Sequence, residues 1–339
     1  MLGGVKAAVV KRQTESIEAY QLYLKGRHYW QKWNEEGFAQ SQACMERAIA
    51  LDPGYALAYV GLADCHLASG AIGLISYEAL LPKAKDALTR ALSIDSELAE
   101  AWALMGVVHM QAWDWAAGLS ASTRAIELNP RLGHAYLVRA LNYCYSGRAG
   151  EMLPDARRAV DFDPLMLMGH FSIILAFLAR RDYEAAASQT DALLDINPVF
   201  WWGHYCRGVI AVAREAYVAA GRCFEEAARY SGGAPYAAGL AVFASARAGE
   251  HEQAERGLAA LLAHGRERHV PAIGIALAYA GLGQDDRACE WLERSFAERD
   301  IFLIVEVRYL RQLDGLRADP RMDDLRRRLA AAGVRVDGE

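Results

Sequence analysis

Nine histidines and six cysteines are the side chains best suited to hold a metal or move a proton, so their spacing comes first. His251-Glu252 opens like the helix of a zinc protease, in which two histidines four residues apart hold the ion, but Glu255 stands where the second must fall. Cys44, Cys65, Cys144, Cys206, Cys223 and Cys289 form no C-x-x-C pair, and most lie inside apolar helical patterns. They read as small core residues in a reducing compartment. Gly118-Leu119-Ser120-Ala121-Ser122 lacks the second glycine of a nucleophile elbow and falls in mid-helix. Asp285-Asp286 and Asp323-Asp324 sit beside turns or on charged helices, where solvated or helix-dipole roles are common. Neither a glycine-rich phosphate loop nor a kinase catalytic loop is present. The residues point to no metal, no cofactor and no enzyme.

The elements that carry these residues belong to a chain of 339 residues, 53% hydrophobic and 23% charged, which is apolar enough to fold. Its net charge of -5 is spread without a basic stripe that could track phosphates, which argues against direct nucleic-acid binding. All six lysines lie at or before Lys85, a bias of composition and not of function. No apolar run reaches the roughly 18 residues of a membrane helix, and Met1 to Gln13 lacks the build of a signal peptide. The expected location is the cytoplasm.

The informative signal is self-similarity. Glu127-Leu128-Asn129-Pro130, Asp161-Phe162-Asp163-Pro164 and Asp195-Ile196-Asn197-Pro198 close units of 34 residues, and Ala48-Ile49-Ala50-Leu51-Asp52-Pro53 is an earlier copy. With the closing proline at position 32, repeats begin at 99, 133, 167, 201, 235 and 269 without insertion. Trp102, Met105, Gly106 and His109 mark the first of these; Gly208, Ala220, Phe224 and Ala227 the fourth; Ala276, Tyr279, Ala288 and Leu292 the sixth. Two further copies start near 19 and 56, each with an insertion, and the stretch from Ser69 to Pro82 reads as the longest loop. His170 and His204 take position 4 and His109 position 11, all structural places. After 300 the frame stops. Ile301 to Val305 is apolar throughout, and Arg317-Ala318-Asp319-Pro320 leads into a short charged helix from Met322 to Leu329, which reads as a C-terminal cap.

A 34-residue unit of two antiparallel helices resembles the tetratricopeptide repeat. The opening Ala19-Tyr20-Gln21-Leu22-Tyr23-Leu24-Lys25-Gly26-Arg27, the phrase Trp113-Asp114-Trp115-Ala116-Ala117, and the ending Leu316-Arg317-Ala318-Asp319-Pro320-Arg321 are similar to one group of such proteins. That group is the tetratricopeptide region following an output domain in bacterial winged-helix transcriptional regulators, adenylate or guanylate cyclases and serine/threonine kinases. The resemblance covers roughly residues 15 to 330. It implies an all-α, right-handed superhelical solenoid of about eight helix pairs over 19–300, with an N-terminal extension of 1–18 and a capping segment of 301–339. In those relatives the output chemistry precedes the repeats, and about 18 residues precede the first helix here, so the output domain is expected to be absent from this chain. The resemblance implies a non-catalytic protein-interaction module, regulatory or scaffolding. The other reading is the sensor half of a regulator or nucleotide cyclase.

In such a solenoid, positions 2, 5, 9, 12 and 13 line the concave face. Over the six regular copies only Glu100 and Arg247 are charged there, so a peptide held by its C-terminal carboxylate is not expected. Leu137, Tyr145, Phe171, Leu175, Trp202, Tyr205, Val209, Tyr236, Phe243, Ile273 and Leu277 make the face apolar and aromatic. Three readings stay open. Tight curvature buries these residues against their neighbours; or they form a trough for an amphipathic helix or apolar peptide of another protein; or a second copy covers them as a homo-oligomer. Trp202→Arg separates the first two, because an exposed indole leaves stability intact while a buried one costs about 3–5 kcal/mol.

Overall fold

The computed structural model describes residues 14–32, 34–71 and 75–335. Among them are eighteen α-helices and no strand. Sixteen helices form antiparallel pairs in chain order: α1 (Ile17–Trp30) with α2 (Glu35–Leu51), α3 (Ala56–Ala71) with α4 (Tyr77–Ile94), and α5 (Ala99–Gln111) with α6 (Trp115–Leu128). There follow α7 (Gly133–Tyr145) with α8 (Met152–Phe162), α9 (Leu167–Ala179) with α10 (Tyr183–Ile196), and α11 (Trp201–Ala213) with α12 (Tyr217–Tyr230). The last pairs are α13 (Pro235–Arg247) with α14 (His251–His264) and α15 (Ala272–Gly281) with α16 (Asp285–Ala297). Two helices stand outside the pairing, α17 (Ile301–Arg308) and α18 (Pro320–Ala331).

Each unit is closed by the same local chemistry. Asp52, Asp95, Asn129, Asp163 and Asn197 end the second helix of a pair with extended backbone, and each side chain accepts the N–H two residues on. That is an Asx turn, which a short carboxyl or carboxamide makes readily, and the proline found next in four of the five cannot continue a helix. The residue at position 4 of the next helix then reaches back six residues to the loop. Trp102 Nε1 donates to the Ser96 carbonyl at 2.9 Å, the Tyr136 hydroxyl to Pro130 at 3.1 Å, and the His170 and His204 Nε2 atoms face Pro164 and Pro198 at 2.9 and 2.8 Å. Facing a carbonyl, each Nε2 acts as a donor. Two histidines that could have suggested chemistry are thus the tie between units.

The turn inside each pair also repeats. Trp113, Gly147, Arg181, Glu215, Gly249 and Gly283 fall 34 residues apart, and every one has a left-handed φ of +58° to +87°. Within the pair, closeness is set by small residues: a Cβ on Gly208 would stand 2.4 Å from the Phe224 ring, so a side chain there would force α11 off α12.

Two boundaries differ from the sequence reading. Helix runs through Ser69 to Ala71 and again from Tyr77 past Pro82, so the long loop shrinks to a stretch whose residues 72–74 lie outside those described. The last pair's first helix starts at Ala272, three residues beyond the frame, because Pro271 keeps the preceding Val270 out of helical backbone.

Second helices bury one face. In α12 the buried residues are Ala220, Gly221, Phe224 and Ala227, which is the i, i+4, i+7 stripe of an outer helix. From α5 onward the first helices are buried on most sides, as α11 is at ten of its thirteen residues. Something must cover their inner side.

Candidate interaction site

The eleven residues expected on the concave face lie on α7, α9, α11, α13 and α15, and all are buried, none more than 5% exposed. They belong to one apolar cluster that also holds Ile301, Leu303, Ile304 and Val305 of α17, then Tyr309, Leu313, Met322, Leu325 and Val334. The end of the same chain packs into this cluster, with Phe302 directly against Trp202 and Tyr236. No second copy is needed, and curvature alone is not the reason. The sequence leaves the exposure of Trp202 open, and the structure buries it: the residue is 3% exposed.

The residues after α16, which we call the strap (299–335), therefore reach into the inner face, while α18 packs beside α16, where Arg321 meets Asp286 and Arg328 meets Glu293. Arg299, with φ +53°, turns the chain, and Asp300 caps α17 by accepting the Phe302 N–H at 2.9 Å. Phe302 is then stacked between Trp202 (ring centroids 5.5 Å apart) and Tyr236 (4.6 Å). Behind this layer Trp202 meets Phe171 at 4.9 Å and the edge of Tyr205 at 5.3 Å. Such contacts contribute about 0.5–1.5 kcal/mol each beyond area burial.

Polar atoms of the strap address a second feature of the inner face. Helix ends leave carbonyls without intrahelical donors, and they carry the negative end of the dipole. Arg299 donates to the Ala112 carbonyl (2.7 Å) after α5, and Arg308 to Gly147 (3.2 Å) after α7. Arg311 reaches Ala213 (3.0 Å) at the end of α11, and the Tyr309 hydroxyl donates to Cys144 (2.9 Å). Further on, the Arg335 N–H donates to the Ser146 carbonyl (3.0 Å) and Trp115 Nε1 to the Ala332 carbonyl (2.9 Å).

One group on α17 runs against its surroundings. Glu306 is 0% exposed; its Oε1 accepts the Tyr236 hydroxyl at 2.6 Å, while Oε2 has no partner. The Tyr205 and Tyr236 hydroxyls are 3.4 Å apart. Burial pushes the Glu306 carboxyl up to about 8, the Tyr236 bond opposing and the nearby Asp300 adding to the rise. Burial likewise lifts Asp300 to about 7. Where α17 begins, a cavity of about 60 Å³ remains among Tyr77, Trp201, Tyr236, His269, Asp300 and Phe302.

The strap's place on the inner face is not read from its position after the repeats, although one signal points to it. Ile301 to Val305 is apolar on every side, which suits a helix surrounded by protein and not an end cap with one face in water. The other chemistry-bearing residues are placed in the scaffold. Five cysteines are buried and Cys223 is half-buried, all free. Among the described residues no group of three or more His, Cys, Asp or Glu is arranged to hold a metal, and no helix is long and apolar enough to cross a membrane.

No protein-family model matches the sequence. Among curated proteins, the transcriptional regulator HilA of Salmonella typhimurium is 21% identical over 152 residues, which is 45% of this chain and 28% of the regulator. Human protein O-mannosyl-transferase TMTC3 is 28% identical over 158 residues, 45% of this chain and 16% of that protein. The chain thus spans under a third of the length of these curated relatives. Among solved structures, the Cut9–Hcn1 hetero-tetramer of the APC/C matches 93% of this chain and 57% of its own at TM-score 0.65 and 13% identity. Human IFIT1, solved as a dimer with m7Gppp-AAAA, matches 81% and 72% at TM-score 0.60 and 13% identity. With its 34-residue period and stacked antiparallel helix pairs, the chain has the fold of a tetratricopeptide-repeat solenoid.

Proposed function

We propose that the protein is a non-catalytic interaction module, regulatory or scaffolding, whose concave face receives an apolar or amphipathic helix of another protein. One observation carries this reading: the face already holds such a helix, α17, stacked on Trp202 and Tyr236. The same face has almost no charged side chain of its own, which suits an apolar helix and not a peptide gripped by its carboxylate. Six unpaired cysteines suit the cytoplasm. The test is capture from a native lysate with the purified chain, with and without excess of a synthetic 299–319 peptide. A protein released by the peptide is a concave-face partner; if nothing captured is released, the reading fails.

The likeness to HilA favours a second reading, the sensory half of a bacterial transcriptional regulator, with a nucleotide cyclase as the related case. A DNA-binding or cyclase domain encoded upstream of Met1, and changed in output by deletion of the array, is the result that supports it. An output indifferent to the array sets it aside.

A further inference from the structure

The strap donates to carbonyls at the ends of α5, α7 and α11 and leaves a particular remainder. Glu306 Oε2, both polar ends of the Gln312 carboxamide, and the indole N–H groups of Trp201 and Trp202 are buried without hydrogen-bond partners. Trp201 also lines the cavity at the start of α17, together with Tyr236 and Phe302. Buried polar atoms are normally paired, and unpaired ones weigh against the conformation that buries them. A carboxyl set among Tyr205, Tyr236 and Asp300 adds to that weight, because the free segment would be ionised in water at neutral pH. Against this stand the Phe302 stack and the donors given to helix ends by Arg299, Arg308, Tyr309 and Arg311. The strap thus fits well in shape and poorly in its polar pairing.

Resting on the reading of the concave face as a partner site, we propose that the strap is a tethered, displaceable occupant and that the partner is a helix of related pattern with one change. The partner carries an aromatic residue where Phe302 lies and a tyrosine seven residues on where Tyr309 lies. Between them, at the Glu306 place, it carries a neutral carboxamide, which accepts from Tyr236 and carries no charge into the apolar interior. A tethered competitor of this kind sets a threshold, since the binding-competent state is only a fraction of the population and apparent affinity falls by that fraction.

The experiment uses the full chain and a fluorescent 299–319 peptide bearing Glu306→Gln, read by anisotropy. Against a chain weakened by Phe302→Ala and Tyr309→Ala the peptide binds at least tenfold more tightly than against the wild-type chain. Against a chain with Glu306→Gln, whose own strap is better seated, it binds several-fold more weakly than against wild type. Equal binding to all three overturns the proposal, as does a peptide with the native Glu306 binding as well as the Gln form. If the double variant does not fold, hydrogen exchange on the wild-type chain decides: α17 amides opening ahead of those in α9 and α11 support displacement, and opening only together with them overturns it. Peptide binding without any cellular protein released by the peptide keeps the strap and removes the partner site. The opposite pair of results keeps the partner site and removes the strap as its competitor.

Discussion

Trp202 shows how far one residue's environment can depart from its repeat position. At position 2 of its unit it should face a groove, yet Trp201, Phe171, Tyr205 and Phe302 enclose it. Trp202→Arg therefore removes the stack and buries an unpaired charge, at a cost of about 3–5 kcal/mol or outright loss of folding. Urea unfolding of the variant checks this; a midpoint within 0.2 M of wild type, roughly 0.5 kcal/mol at ordinary denaturant slopes, would mean the ring is not enclosed. Glu306 makes a pH statement. Its ordinary value is 4.5 and its folded value about 8, so between these limits the folded chain keeps a proton that the unfolded chain has released. Stability from this group is fully present below about pH 4.5 and is lost progressively as pH rises toward 8. Asp300, lifted from 3.8 to about 7, acts in the same direction over a lower window. Glu306→Gln should melt close to wild type at pH 5 and clearly above it at pH 8.5. Parallel melting curves across that range would remove Glu306 as the cause.

Within the helix pairs, the turn at position 15 gives a clean comparison of backbone and contact effects. Arg181 and Glu215 are exposed residues held at φ +58° and +59°, a conformation that costs an L side chain about 1–2 kcal/mol and glycine almost nothing. After the entropy that glycine adds to the unfolded chain, Arg181→Gly should gain about 0.5–1 kcal/mol, measured as a raised melting midpoint; an unchanged midpoint would set the strain argument aside. Gly147→Ala is the reverse case with an added contact, since a Cβ there would stand 2.2 Å from the Arg335 carbonyl, whereas Gly249 has open space around it. Gly147→Ala should therefore destabilise more than Gly249→Ala and loosen residues 332–335; equal losses would show that the strap's tail does not press on this turn. The same elements show what was legible in the sequence. The pairs could be read because each copy is checked against five others, and Asn129, Asp163 and Asn197 before proline announce one Asx turn three times. The concave residues can be listed from their repeat positions, but their covering cannot, because Phe302 and Glu306 occur once and meet Trp202 and Tyr236 far away in sequence. Periodicity carries no information about a segment that has left the repeat.

For the molecule as a whole, the strap changes what kind of solenoid this is. In a linear array each unit touches only its neighbours, so stability adds along the chain and ends can open alone. Here one segment after α16 bonds to the ends of α5, α7 and α11 and to Tyr236 of α13, so loss of any of these units exposes atoms that the strap had covered. The first pair also approaches the loop between α14 and α15, with Arg268 3.0 Å from Glu35, but both side chains are more than half exposed and the ion pair is worth at most about 1 kcal/mol. That surface contact is too weak to couple distant pairs, whereas the buried strap touches several of them at once. The wild-type chain should unfold in one steep transition, with amides of α5, α7 and α11 exchanging together. Arg268→Ala should leave that cooperativity unchanged, whereas Phe302→Ala should lower the denaturant slope and let the early pairs open before α9 to α13. If Phe302→Ala shifts the midpoint while the slope and the order of exchange stay as in wild type, the array is already cooperative through neighbour contacts alone, and the strap is a passenger in its stability.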